Sequence, residues 1–280
     1  MKLLRIGEKG KEKPAILDKN NKFRDLSSHI KDFNSDNLNF ETVSKLKNIN
    51  LDTLPEIKNS ERIGACISKP GKFVAIGLNY SDHAKETGLK TPTEPIVFMK
   101  ATSSISGPND NIEMPKNSSK LDWEVELGIV IGKETKNIME KEAPEHILGY
   151  CIVNDISERE WQIEKLGQWV KGKSGDTFGP TGPYLVTKDE ISDINNLNLN
   201  LEVNGNKMQS GNTKNMIFNT NFIVSYLSKF MSLQPGDLIT TGTPAGVGMG
   251  MKPQVFLNSG DNIKLSIDFL GQQNSKVISI

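Results

Sequence analysis

The segment Trp123-Glu124-Val125-Glu126-Leu127-Gly128-Ile129-Val130-Ile131 carries two carboxylates two residues apart in an otherwise apolar run. Read as a strand, it sends alternate side chains to opposite faces, so Glu124 and Glu126 point one way while Val125, Leu127 and Ile129 point the other. Any fold that accepts this segment must either leave that face wet or neutralise the pair. Buried like charges repel and lose their hydration unless a cation or a shared proton compensates them. Asp155 closes a second apolar run, Gly149-Tyr150-Cys151-Ile152-Val153-Asn154, and adds a third carboxylate. Spacing alone leaves two readings open: a strand with one solvated face, or a site for a hard divalent ion. All-oxygen ligation by few carboxylates suits Mg²⁺ or Mn²⁺, with Ca²⁺ also compatible, because these ions keep waters that a chelating substrate can replace.

At 280 residues the chain can bury a full-sized core, as one large domain or a large one plus a small one. The 34 Lys and Arg balance the 34 Asp and Glu, so no global field draws in nucleic acid or an anionic membrane. The partner to expect is a small molecule. Charges interrupt Met1 to Lys9 too often for a signal-peptide core, and no apolar run approaches membrane-spanning length, which predicts a cytoplasmic protein. Cys66 and Cys151 have no CxxC spacing and are expected as buried, reduced thiols.

Residues 1–68 are polar and rich in Asn, Lys and Asp, and read as a small α+β domain. It has a turn at Asp18-Lys19-Asn20-Asn21-Lys22, a helix over Glu41 to Lys47, and a charged connector at Lys58 to Arg62. Residues 69–280 read as a mainly β domain with flanking helices. Phe73 to Leu78 is an expected buried strand, and Asn79 to Gly88 a loop with about two helical turns closed by glycine. Leu197 to Val203 alternates with period 2 into Asn204-Gly205, a hairpin signal. Phe218, Phe222, Ile223, Leu227, Phe230 and Met231 predict one apolar helix face, stopped by Gln234-Pro235-Gly236-Asp237 before a strand from Leu238 to Thr241.

His83 precedes Glu86 by three residues, so on a helical turn the carboxylate can hold one imidazole nitrogen and leave the other as a base for water. The same spacing also describes an ordinary surface pair. If a helix begins at Asp155, then Arg159 and Gln162 share its face, and the arginine can hold a substrate anion or orient the acid; an amphipathic helix with an ion pair fits equally. Gly167 to Ser174 matches G-x-x-x-x-G-K-[ST], but a polar stretch precedes it and Gly175 to Pro180 follows, so the strand and helix that a phosphate loop needs are missing. Lys173 is instead expected as a fixed cation beside the carboxylates. The glycine-rich stretch Gly242 to Gly250 has Pro253 where a dinucleotide fold would run a helix. It reads as a tight loop presenting Thr243 and backbone amides to a small anion, or as a structural turn. There is no Gly-x-Ser-x-Gly elbow, and covalent acyl-enzyme chemistry has no support.

Together, Asn79-Tyr80-Ser81-Asp82-His83-Ala84-Lys85-Glu86, Glu124-Val125-Glu126-Leu127-Gly128, Asn154-Asp155-Ile156-Ser157-Glu158-Arg159, Gly172 to Pro180 and Thr241-Gly242-Thr243-Pro244 resemble the fumarylacetoacetate hydrolase superfamily from about residue 70 onward. The resemblance implies an α+β fold, a mixed β-roll catalytic domain with the small N-terminal domain in front, usually as a homodimer. It implies Mg²⁺ or Mn²⁺ on Glu124, Glu126 and Asp155. His83 and Glu86 would form a water-activating dyad on a lid that orders on ligand binding, with Arg159, Gln162, Lys173 and Thr243 around the substrate. The founding branch has a fourth metal carboxylate in the stretch that here reads Phe73 to Leu78; its absence favours three protein ligands plus waters. The opening residues and the tail Gly248 to Pro253 look like the branch of 2,4-diketo-3-deoxy-sugar-acid hydrolases, whose members also carry ureidoglycolate lyase or 2-hydroxyhepta-2,4-diene-1,7-dioate isomerase labels, in carbohydrate or aromatic catabolism.

The activity so implied is metal-dependent hydrolysis of a carbon-carbon bond in a 2,4-dioxo acid to pyruvate and a carboxylic acid. His83 would be the base, Lys173 the oxyanion donor and Thr243 the carboxylate contact. The alternatives are a lyase, isomerase or decarboxylase on a related 2-oxo acid, and a non-catalytic binding protein on the same fold.

Overall fold

The computed structural model describes residues 1–58, 61–87 and 90–280. Its centre is the antiparallel pair β11 (Val125–Ile131) and β12 (Ile147–Asn154), in register from Val125 opposite Asn154 to Ile131 opposite Ile147. Every residue of both strands is buried. The solvated-face reading of Glu124 and Glu126 is therefore excluded.

Around this pair the described residues form an open, mixed sheet of eleven strands. Beyond β12 lie β15 (Leu185–Thr187), β1 (Lys2–Ile6), β2 (Lys13–Leu17), β3 (Phe23–Asp25) and β4 (Glu56–Ile57). Beyond β11 lie β18 (Leu238–Thr240), β6 (Phe73–Gly77) and β7 (Ile96–Met99), with β18 and β6 parallel. β5 (Ile63–Gly64) pairs with the end of β1 that β15 leaves uncovered. A second sheet runs β17 (Asn206–Asn212), β16 (Asn198–Val203), β19 (Asn262–Ile267), β20 (Gly271–Ser279) and β9 (Ile112–Met114). Two short ribbons complete the β structure, β10 (Leu121–Asp122) with β13 (Ser157–Glu158) and β8 (Ile105–Ser106) with β14 (Gly179–Pro180).

The alternation along β11 decides which core each residue serves. Val125, Leu127, Ile129 and Ile131 enter the cluster shared with Leu199, Leu201, Ile263 and Leu265 of the second sheet. Val130, on the opposite face, packs with Leu3, Ile16, Phe33 and Leu38. Residues 1–68 thus supply β1 to β5 and helix α1 (Phe40–Lys47), and they share one sheet and one apolar cluster with the remainder.

Local signals explain most elements. Asp18 accepts hydrogen bonds from the Asn20 and Lys22 amides, and Asn21 takes φ 59, making the turn between β2 and β3. Asn204 and Gly205, at φ 52 and 77, give the left-handed pair that joins β16 to β17. Helix α2 (Ser81–Thr87) carries His83 and Glu86; the glycine expected to close it, Gly88, lies outside the described residues. Helix α3 (Val170–Lys173) is one turn long and follows no buried strand, as the rejection of a phosphate loop requires.

Two expectations need correction. The helix α4 (Thr220–Ser228) starts after Phe218 because Asn219 caps it, accepting from the Phe222 amide. Its faces also differ from the single stripe expected. Ile223, Val224 and Leu227 are buried, whereas Phe218, Phe222, Tyr226 and Phe230 stack along the outside, with Phe230 65% exposed. The aromatics recur every four residues and contact one another in a row, stacked from Phe218 to Tyr226 and edge to face at Phe230, while Phe218 also packs against the core. Secondly, no helix begins at Asp155. Asp122 and Leu121 pair with Ser157 and Glu158, which keeps the chain extended there, and only a π-turn at Glu160–Glu164 follows.

Candidate active site

One ligand oxygen from each of Glu124, Glu126 and Asp155 lies within 4.8 Å of the others, and all three side chains are buried. Two strand ends converge to produce this. Asn154 is the last residue of β12, and its Oδ1 accepts the Glu124 amide at 3.2 Å while the Asp155 amide donates to Glu124 O at 2.9 Å. The two acids are thereby locked across the hairpin.

Three cations surround the cluster. Lys173 Nζ donates to Glu124 Oε2 at 2.8 Å and to Asp155 Oδ2 at 2.7 Å. Lys100 Nζ donates to Asp155 Oδ1 at 2.5 Å and to Ile156 O at 3.3 Å. Arg159 donates from Nη2 to Glu124 Oε1 at 2.7 Å, from Nε to Asp122 Oδ2 at 2.8 Å and from Nη1 to Gln162 Oε1 at 2.9 Å. Four buried acids, Asp122, Glu124, Glu126 and Asp155, thus face three buried cations, and the shortfall falls on Glu126. Its hydrogen-bonding partner is a neutral one, the Gly242 amide at 2.9 Å.

The titration behaviour follows. Burial first, then the Asp155 and Glu124 charges, push the Glu126 carboxyl well above the usual carboxylate range. Burial also opposes the charge on Glu124, but Lys173 and Arg159 outweigh it and hold that carboxyl below its ordinary value. For Lys173, burial is overcome by Asp155 and Glu124 and the pKa rises; for Lys100, burial prevails over Asp155, with Lys173 adding repulsion, and the pKa falls. A cluster of hard oxygen donors left one positive charge short fits a divalent metal ion. Glu124, Glu126 and Asp155 are the residues that would hold it.

The second half of the site is the His83 and Glu86 pair. His83 Nδ1 lies 3.3 Å from Glu86 Oε2, and Glu86 is seated by the Gly246 amide, which reaches its two oxygens at 2.9 and 3.1 Å. A Cβ on Gly250 would stand 2.6 Å from Glu86 Cδ, so the glycine there leaves room for the carboxylate. The same loop binds Asp122 through the amides of Gly248 and Met249, at 2.7 and 3.0 Å. The anions that the glycine-rich loop accepts from its own chain are therefore Glu126, Glu86 and Asp122. Gly242, at φ 91, leaves space that a Cβ would lose to Asn79 at 2.8 Å.

The cavity bounded by these groups, about 90 Å³, is lined by His83, Glu124, Glu126, Arg159, Gln162, Lys173 and Thr243, together with apolar residues. The structure thus brings every expected site residue except Glu86 and Asp155 to the cavity wall, and those two hold wall residues in place. Thr243 is present, but its hydroxyl donates to Val125 O and accepts from Gln209 Nε2, so it is already engaged within the fold. Asp155 and Arg159 do not sit on one helix face; they meet through Glu124.

Sequence reasoning missed Lys100, Asp122, Phe98, Trp169 and Met249. Lys100 had a readable signal: it closes the apolar run Ile96 to Met99 much as Asp155 closes its own. Trp169 had none, because its place depends on Gly77, where a Cβ would lie 2.6 Å from the indole ring.

Comparison with known proteins agrees with this architecture. The family described as fumarylacetoacetate (FAA) hydrolase C-terminal matches residues 72–278. A provisionally named hydrolase of Burkholderia ambifaria is 57% identical over 274 residues, covering 98% of this chain and 97% of its own. The fumarylacetoacetate hydrolase of the psychrophile Exiguobacterium antarcticum superposes with TM-score 0.87 at 35% identity over the whole of both chains. A 2-hydroxyhepta-2,4-diene-1,7-dioate isomerase of Mycobacterium marinum gives 0.75 at 32%, covering 100% of this chain and 98% of its own. The maleylpyruvate hydrolase of Sphingobium sp. SYK-6, in complex with manganese(II) and pyruvate, gives 0.83 at 25%, covering 100% and 99%. With the family's match spanning most of its length and the buried acidic centre in place, this chain is an enzyme of the fumarylacetoacetate hydrolase family.

Proposed function

We propose that the protein hydrolyses the C3–C4 bond of a 2,4-dioxo acid in a divalent-metal-dependent reaction, giving pyruvate and a carboxylic acid. The observation that carries this reading is the convergence on one small cavity of an acidic cluster one positive charge short, a buried lysine bridging two of its acids, and a histidine held by a glutamate. When bound by Glu124, Glu126 and Asp155, Mg²⁺ or Mn²⁺ supplies Lewis-acid attraction for a substrate 1-carboxylate and 2-oxo oxygen.

The chain's own residues account for the rest. His83, oriented by Glu86, takes a proton from water as the water oxygen bonds to C4. Lys173 donates an N–H to the oxygen that becomes negative at C4. The C3–C4 bond then breaks with its electron pair passing to C3, which is protonated to the methyl group of pyruvate. The balance is R–CO–CH₂–CO–COO⁻ plus H₂O giving R–COO⁻, CH₃–CO–COO⁻ and H⁺. Gln162, whose Nε2 has no hydrogen-bond partner among the described residues, and the Thr243 backbone would orient the substrate. The manganese and pyruvate in the maleylpyruvate hydrolase complex support this reading.

A second reading, isomerisation or decarboxylation of a 2-oxo acid without an attacking water, is favoured by the likeness to the Mycobacterium marinum isomerase. Product analysis in H₂¹⁸O with Mg²⁺ separates the two. Hydrolysis puts one ¹⁸O into the released carboxylic acid and should fall about 10²-fold or more in His83→Ala. Wild-type hydrolysis in that variant, or decarboxylation alone in the native enzyme, removes the hydrolase reading.

A further inference from the structure

Resting on that hydrolase reading, we propose that the acyl end of the substrate is apolar: the enzyme cleaves an alkanoyl- or aroylpyruvate, and the acid it releases carries neither a second carboxylate nor a hydroxylated chain. The cavity wall carries two unlike sets of groups. Among its polar groups, Glu124 is already bonded to both Arg159 and Lys173. The rest of the wall is Ile76, Leu78, Phe98, Ile163, Trp169 and Met249, with the backbones of Gly77 and Gly242. Lys173 Nζ stands 5.2 Å from the centre of the Phe98 ring, so these apolar groups begin directly beside the acidic cluster, and the polar side chains of the wall among the described residues are the seven already named.

The apolar wall is built, not incidental. The Trp169 ring lies directly over Gly77 at the end of β6, where any side chain would displace it, and Phe98 of β7 meets Trp169 edge to face at 5.3 Å. Ile163 remains 47% exposed although it lines the cavity, a position where a bound alkyl or aryl group would remove apolar surface from water. A sugar chain or carboxylate placed against this wall would lose its hydration without gaining a partner. In a hydrophobic pocket one methylene is worth about 10- to 200-fold in specificity.

The test uses purified enzyme with Mg²⁺ and pyruvate release from acetyl-, hexanoyl- and benzoylpyruvate, from a 2,4-dioxo acid ending in a second carboxylate, and from one ending in a polyhydroxylated chain. The hexanoyl and benzoyl compounds should exceed the last two at least tenfold in kcat/KM. Equal or higher values for either of the last two overturn the proposal. In Ile163→Glu, the KM for hexanoylpyruvate should rise at least tenfold more than that for acetylpyruvate; an equal change in both counts against it. Calorimetry with uncleaved 2-oxo acids keeps the inference separate from the reaction. 2-Oxooctanoate and phenylpyruvate should bind at least tenfold more tightly than 2-oxoadipate even if no compound releases pyruvate, an outcome that would sink the hydrolase reading alone. The reverse binding order sinks the proposal on substrate polarity.

Discussion

Glu126 and Lys173 show how charge is apportioned within a few ångströms. Glu126 is the acid of the cluster whose hydrogen-bonding partner is neutral, and burial with the Asp155 and Glu124 charges already disfavours its ionised form, so its amide replacement costs the metal-free fold little. Metal-free Glu126→Gln is therefore expected to melt close to the native temperature, and Mg²⁺, which should raise the native Tm, should no longer do so. A normal Mg²⁺-induced shift in that variant refutes the metal-ligand assignment. Lys173 has the opposite position, shared between Glu124 and Asp155. Lys173→Met leaves two metal-facing acids less neutralised, which predicts a loss of turnover of about 10²-fold or more with Mg²⁺ affinity undiminished, provided the fold survives a cost of about 3–5 kcal/mol for the unpaired charges. Calorimetry settles both parts, and saturable Mg-ATP binding to the native protein would reinstate the phosphate-loop reading of Gly167 to Ser174.

The glycine-rich loop and α2 act as a pair. The Gly246 amide fixes Glu86, Glu86 meets His83, and Gly250 leaves the space in which the carboxylate sits. Gly250→Ala should press on Glu86 Cδ, and because a side-chain end yields more easily than backbone, the carboxylate should shift off Gly246 rather than the loop unfold. The outcome expected is lower kcat/KM with a Tm change of less than about 5 °C, and faster amide exchange across residues 81–87. Unchanged exchange there with unchanged kinetics would show that the seat of Glu86 does not position His83. The short α2 segment, whose sequence offers little apolar surface to hold it closed, is also expected to exchange faster without ligand than with oxalate; the part of this expectation that concerns Gly88 and Leu89 lies outside the described residues.

At the scale of the molecule, the first 68 residues are tied on by a shared sheet and by ion pairs that cross to the larger part. Arg62 donates to both Asp110 oxygens at 2.7 and 2.6 Å and to Glu12 at 2.9 Å. Burial works against the Asp110 charge, but Arg62 and the Gly107 amide prevail and its pKa falls below the ordinary 3.8. A lowered carboxylate pKa contributes stability that is complete above the ordinary value and is lost as pH falls through the folded one. Because the pair is only half buried, the contribution is discounted to about 1 kcal/mol. Denaturant unfolding should thus show Asp110→Asn less stable than the native protein by a constant amount between pH 5 and 8, in a window set about one unit above that pKa. The gap should close below about pH 4; a gap that stays constant to pH 3 would place the effect elsewhere.

Local chemistry determined a good part of this protein. The Asn204-Gly205 hairpin, the Asp18 turn and the common direction of Glu124 and Glu126 follow from backbone sterics and strand alternation, which act over a few residues. Motif order along the chain identified the family and, with it, the set of residues around the cavity. Tertiary structure decided what depends on distant partners. Whether the face of β11 carrying Glu126 was wet or buried turned on what packs over it, the loop at Gly242 and Lys173. Which face of α4 met the core depended on its packing partners, which left Phe222, Tyr226 and Phe230 outside, and the start of a helix at Asp155 was overruled by two backbone pairings with Leu121 and Asp122. Lys100, 55 residues from Asp155, and Trp169, far from the Gly77 that admits it, became parts of the site only through sheet order and packing. Long-range burial and charge balance are properties of the assembled neighbourhood, and no window of sequence contains them.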